Sequence, residues 1–202
     1  MPDDTILCWR SKLTATGHVT VADYKTWAAD GEKGKKKIAQ LLAYRLTERY
    51  VDPVTHLEPR WKSGFSIMAV SCLLIETLET FCQGWESTEP TKSQPGKSKH
   101  AFQLFFSHQR QFKQFQSHAA AFWKHVRCGI LHQGETTGGW IVGRKGPLFD
   151  KNDLEVNATK FHSLLTQAIT DYSHQLQKEP LSADIWQKFK TKMNAIIKNC
   201  EP

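Results

Sequence analysis

Apolar residues recur along this chain at helical spacing, broken by polar, glycine- and proline-rich stretches, and the pattern predicts a succession of helices. Residues 1–31 open without a clear period and are expected to be partly extended or loosely packed. Within them a short helix, Val21–Ala29, is expected, capped by Thr20 and stopped by Asp30-Gly31. A basic turn, Gly31-Glu-Lys-Gly-Lys-Lys-Lys37, leads into a helix over residues 35–50 with apolar Ile38, Leu41, Leu42 and Leu46, ending at Asp52-Pro53. Residues 60–84 are the most apolar run. Phe65, Met68, Cys72, Leu73, Ile75, Leu78 and Phe81 cover more than one narrow face, as in a central bundle helix.

Residues 86–99 are rich in Pro, Gly, Ser and Lys and predict a flexible loop. Helical spacing returns over residues 100–115, where Phe102, Phe105, Phe106, Phe112 and Phe115 repeat. It continues from a Ser117 cap through Phe122, Trp123 and Val126 to Arg127. Residues 138–150 then alternate briefly. Trp140-Ile-Val142 and Leu148-Phe149, joined by Gly143-Arg-Lys-Gly-Pro147, predict a small hairpin. Two helices, over residues 157–178 and 182–199 with Pro180 between them, complete an all-α bundle with one short β insertion.

Composition narrows the class. The 202 residues suit a single domain with a real core, and 40% hydrophobic content argues against a disordered chain. With 27 Lys and Arg against 20 Asp and Glu, the net charge of +7 favours anionic partners, nucleic acid first. Cys8, Cys72, Cys82, Cys128 and Cys200 are odd in number and spaced for neither a disulfide framework nor zinc. Reduced thiols in a cytoplasmic protein are the expectation. The first residues lack the basic start and long apolar run of a signal peptide, and no unbroken run of about 18 apolar residues occurs, so neither a signal peptide nor a membrane partner is expected.

The chemistry concentrates at Arg127-Cys-Gly-Ile-Leu-His132, at the end of a predicted helix before a glycine-rich loop. Arg offers a forked donor set for phosphate, and His moves a proton near neutral pH. On an ideal helix the two are about 140° apart. Gly129, which weakens a helix, is expected to distort the last turn and bring them together. Cys128, Gln133 and Glu135 flank the pair as accessory candidates. His118, His125 and His132 repeat every seven residues, a rise of about 10.5 Å that is too long for a shared metal, so no metal or other cofactor is expected. Pro95-Gly-Lys-Ser98 resembles the tail of a phosphate loop but lacks the first glycine and a preceding strand.

The Arg-x4-His spacing in a helical context resembles the HEPN superfamily, whose members include metal-independent RNases. That resemblance gives Arg127 the role of phosphate-stabilising cation and His132 that of proton-transfer group. It implies a homodimer with the two motifs facing one cleft, and a toxin or phage-defence effector restrained by an antitoxin or sensor protein. An acidic residue beside the pair is also a family habit, with Glu76 and Glu79 as candidates. RNA contacts are expected from Lys124, His125, Trp140, Arg144 and Lys145. Two other readings stand beside this one: a non-catalytic module binding RNA, a nucleotide or a protein, and a helical interaction protein with a chance Arg–His spacing.

Overall fold

The computed structural model describes residues 3–55 and 63–199. The chain is mostly helical, with two small sheets, and its residues group into two compact units. One is built from the chain up to Asp52, Thr80–Glu86, and the chain from Ile169 onward; the other from Pro53–Glu79 and Ser87–Ala168.

In the first unit, residues expected to be loosely packed form an antiparallel pair, β1 (Ile6–Cys8) and β2 (Val19–Thr20), whose Leu7, Cys8 and Val19 are fully buried. Helix α1 (Val21–Ala29) starts where the sequence places it. Thr20 Oγ1 accepts from the Asp23 amide and Asp23 Oδ2 accepts from the Thr20 amide, a reciprocal cap that satisfies two orphan donors. Helix α2 (Glu32–Leu46) packs against α1 through Gly34, where an added Cβ would meet the Trp27 carbonyl.

The helix after α2 does not stop at Asp52-Pro53. A π-helical turn, Thr47–Val51, carries it into a further α-turn, α3 (Asp52–Thr55). In this wider turn Asp52 N–H donates to Thr47 O, five residues back, and Pro53, which has no N–H to donate, follows directly.

The apolar run forms α4 (Gly64–Gln83), closed by Gly84 at φ +69°; residues 60–62 of the expected helix lie outside those described. It is long and apolar enough to cross a membrane by length and composition, yet 56% of its most apolar window is buried inside the protein. Scanning for unbroken apolar runs misses this, because Glu76 and Glu79 interrupt the run without lowering its average enough.

In the second unit, the helix expected over residues 100–115 breaks at Gln109, which is extended (ψ 103°). Helix α5 (Ser98–His108) gives way to a 3₁₀ stretch, Arg110–His118. Phe112, Phe115 and His118 are three apart, and a three-residue turn puts them on one side. Phe112 lies 4.8 Å from Phe161, Phe115 4.6 Å from Phe149, and His118 edge-on to Phe149 at 5.2 Å. Tertiary packing of rings overrides the α period here. Ser117 is not the cap of the next helix; its hydroxyl pairs with His118 Nδ1.

From there α6 (Ala119–Phe122), a second π turn (Trp123–Arg127) and α7 (Cys128–Gln133) run without interruption to Gly134, left-handed at φ +70°. The expected hairpin is a three-stranded sheet instead. β3 (Ile141–Gly143) and β4 (Phe149–Asp150) do not pair with each other; β5 (Glu155–Asn157) lies between them, parallel to β3 and antiparallel to β4. Asn157 then caps α8 (Ala158–Lys178), its Oδ1 accepting from the Lys160 amide. Helix α9 (Asp184–Asn199) closes the chain, with Trp186 and Phe189 buried in the first unit.

Candidate functional site

The Arg–His pair is assembled from α4 and from the helix that ends at Gly134. Arg127 is the last residue of the π turn and projects toward α4, where its Nε donates to Glu76 Oε1 at 2.7 Å. Its Nη1 lies 3.4 Å from His132 Nε2. Arginine can only donate, so Nε2 is the accepting nitrogen of the imidazole in this contact, and Nδ1 carries the proton. The Arg127 and Glu76 side chains are only 20% and 12% exposed, whereas His132 stands in solvent. The site thus has a sheltered cation and an open imidazole.

Glu76 is held from its other side. Thr88, in the loop after α4, donates its hydroxyl to Glu76 Oε2 at 2.8 Å. Both carboxylate oxygens are therefore engaged, one by each neighbour, and Glu76 fixes the direction of the guanidinium. Burial works against the charge on Arg127, but the Glu76 carboxylate outweighs it, and the Arg127 pKa is raised. Cys128, the next residue, acts on the Arg127 charge in the same direction as Glu76. Cys72, one turn before Glu76 on α4, is wholly buried beside this group. Burial pushes its thiol well up, so it stays neutral, while Arg127 pulls the other way.

Gly129 acts differently from the sequence expectation. Helix α7 passes through it as regular α-helix, and no distorted turn swings His132 round. The reach of the arginine side chain closes the angular gap. Gly129 is needed because the following loop folds back on it: an added Cβ would sit 2.5 Å from the Glu135 carbonyl oxygen. The same loop wraps His125. Thr137 N–H donates to the His125 carbonyl at 3.0 Å, Thr137 Oγ1 pairs with His125 Nδ1 at 2.9 Å, and Gly138 (φ +61°) packs against the ring.

Several predicted contributors are placed elsewhere. Glu79 is 1% exposed, and Glu76 is the carboxylate that meets Arg127. Glu135 folds onto its own loop, accepting from the Thr136 amide at 2.8 Å, and Gln133 is exposed on the closing turn of α7. Trp140, offered as a base-stacking platform, is 4% exposed and stacks on Phe149 with an interplanar angle of 4°, so it packs within the core. His125 is fastened by Thr137, and Arg144 donates to Ser63 Oγ and Thr159 Oγ1, both at 3.2 Å. Lys124 and Lys145 are exposed. His118, His125 and His132 engage Phe149, Thr137 and Arg127 respectively, not one continuous stripe. Among the described residues, no three His, Cys, Asp or Glu side chains gather as metal ligands.

Thr88 and Cys72 belong to the site and escape a sequence reading. Once Glu76 is chosen, Cys72 follows from its spacing of four on the same helix. Thr88 sits in a loop with no periodic signal at all.

The chain matches no known protein family, and no curated protein or solved structure matches it.

Proposed function

We propose that this protein is a HEPN-like, metal-independent endoribonuclease acting at Arg127 and His132. The observation that carries the reading is the 3.4 Å approach of Arg127 Nη1 to His132 Nε2, with Glu76 gripping the same guanidinium at 2.7 Å. A cation aimed by a carboxylate beside an exposed imidazole is an arrangement suited to phosphoryl chemistry.

In the proposed reaction, an RNA phosphate displaces His132 from Nη1 and takes the guanidinium donors. The 2′-oxygen attacks phosphorus as His132 Nε2 accepts its proton. The bond from phosphorus to the 5′-oxygen breaks, and that oxygen takes a proton from water as it leaves, while the proton held by His132 returns to solvent. The products are a 2′,3′-cyclic phosphate and a 5′-hydroxyl. Arg127 stabilises the extra negative charge of the pentavalent transition state, and the tethered nucleophile needs no metal to generate it. The family resemblance adds a homodimer, and exposed Leu131 (45%) and Leu73 (40%), next to His132 and near Glu76 in sequence, suit a surface that a second copy covers. Restraint by an antitoxin or sensor protein, in a cytoplasmic toxin or defence role, extends the same reading.

The competing reading is a silent module that binds RNA, a nucleotide or a protein. It is favoured by the ion pair itself, which commits part of the Arg127 donor set to Glu76. Labelled single-stranded RNA incubated in EDTA with the wild type, Arg127→Ala and His132→Ala separates the two. Cleavage to 2′,3′-cyclic phosphate ends that both substitutions abolish supports the nuclease; binding without cleavage supports the module.

A further inference from the structure

A concave site, apart from the Arg–His pair, lies in the unit that carries that pair. It is a cleft of about 480 Å³ between the start of α4 and the β3 edge, lined by Gly64, Phe65, Val142, Gly143, Arg144, Lys145 and Glu155. Two glycines keep it open. A Cβ on Gly64 would lie 3.3 Å from Val142 Cγ1, and one on Gly143 would lie 2.0 Å from Glu155 Oε1, where the carboxylate now rests.

The cleft has three chemically distinct parts. Phe65 and Val142 supply a half-buried apolar wall. Arg144 is steadied by Ser63 and Thr159, and Lys145 is exposed beside it. The Glu155 carboxylate makes no hydrogen bond or ion pair to any described residue, although two cations line the same cleft. The Glu155 carboxylate, unengaged by the cations beside it, leaves room for a ligand that meets it with its own donors.

We infer that this cleft binds a guanosine phosphate. Phe65 gives the purine a stacking face. Glu155 is an acceptor-only group, and the guanine edge presents two adjacent donors, N1–H and the 2-amino group, which a carboxylate takes as a pair. Adenine presents an acceptor at N1 and would face the carboxylate with like polarity. Lys145 takes the phosphate, with Arg144 adding to the positive field. The guanosine is either a free nucleotide or one residue of an RNA strand, and the site does not depend on catalysis at Arg127.

Calorimetric titration of the full chain with GMP, AMP and guanosine tests the assignment. Two 2′-O-methyl tetranucleotides, one all adenosine and one with a single guanosine, provide the strand arm without any substrate for cleavage. GMP is expected to bind at least about tenfold more tightly than AMP. Glu155→Gln erases that preference, and Lys145→Ala weakens GMP but not guanosine, with unchanged circular dichroism in both variants. If the strand is the source, the guanosine tetramer shows the Glu155-dependent preference and GMP does not. Equal binding of the guanine and adenine ligands in both arms, no binding in either, or a preference that survives Glu155→Gln overturns the inference.

Discussion

Glu76 Oε1 accepts a hydrogen bond from Arg127 Nε at 2.7 Å, and this contact between two helices directs the rest of the guanidinium toward His132. In the proposed nuclease the carboxylate would have a positioning role, one step removed from the chemistry.

Glu76→Gln keeps the shape and removes the charge. The mostly buried guanidinium then loses its counter-ion, and unfolding in urea is expected to show a loss of about 1–3 kcal/mol. RNA cleavage is expected to fall about tenfold to a hundredfold through kcat, as a loosened Arg127 misses its position. Unchanged stability would mean that the pair contributes nothing to the fold.

Gly129→Ala distinguishes two roles for that glycine. If Gly129 merely weakened the helix, alanine would stabilise the protein by up to about 1 kcal/mol. The close approach of the Glu135 carbonyl predicts the opposite sign, a loss of about 1–3 kcal/mol as the loop around His125 is displaced. The denaturation midpoint decides between them.

Trp140 is expected to report on the core and not on RNA. Trp140→Ala should cost about 3–5 kcal/mol, because it removes the ring stacked on Phe149. Trp140→Phe should retain RNA affinity, measured by fluorescence anisotropy. A selective loss of RNA binding in Trp140→Phe would contradict its assignment to the core.

Alkaline pH should destabilise the first unit. Burial, aided by the Glu48 carboxylate, pushes the Cys8 thiol from 9.0 up to about 12, and burial pushes Tyr24 from 10.0 up to about 12. Both fold as neutral acids and hold protons that the unfolded chain releases. Their contribution is therefore whole below about pH 9 and is lost as pH rises toward 12. The Tm should fall over this range, and less steeply in Cys8→Ala. Parallel profiles for the two proteins would contradict the role of Cys8.

The helices were legible because their apolar residues repeat at a local period, and their ends because Thr20, Gly84 and Gly134 act on their own neighbours. The sheet was not. β5 inserts between β3 and β4 through pairings that no hairpin signal encodes, so Gly143-Arg-Lys-Gly-Pro147 read as a simple turn. The 3₁₀ stretch left a trace in the spacing of Phe112, Phe115 and His118, which an α-helix tolerates almost as well. At the site, Arg127 and His132 were visible as a motif. Choosing Glu76 over Glu79 required the rotation of α4, which tertiary packing sets. Trp140 and Arg144 looked available for RNA because sequence does not show what lies against them.

The most direct test is His132→Ala, assayed at once for RNA cleavage in EDTA and for RNA affinity. The nuclease account predicts that 2′,3′-cyclic phosphate products vanish while affinity stays within about twofold, since His132 moves a proton and Arg127 still holds phosphate. Cleavage that persists in this variant at the wild-type rate would contradict it.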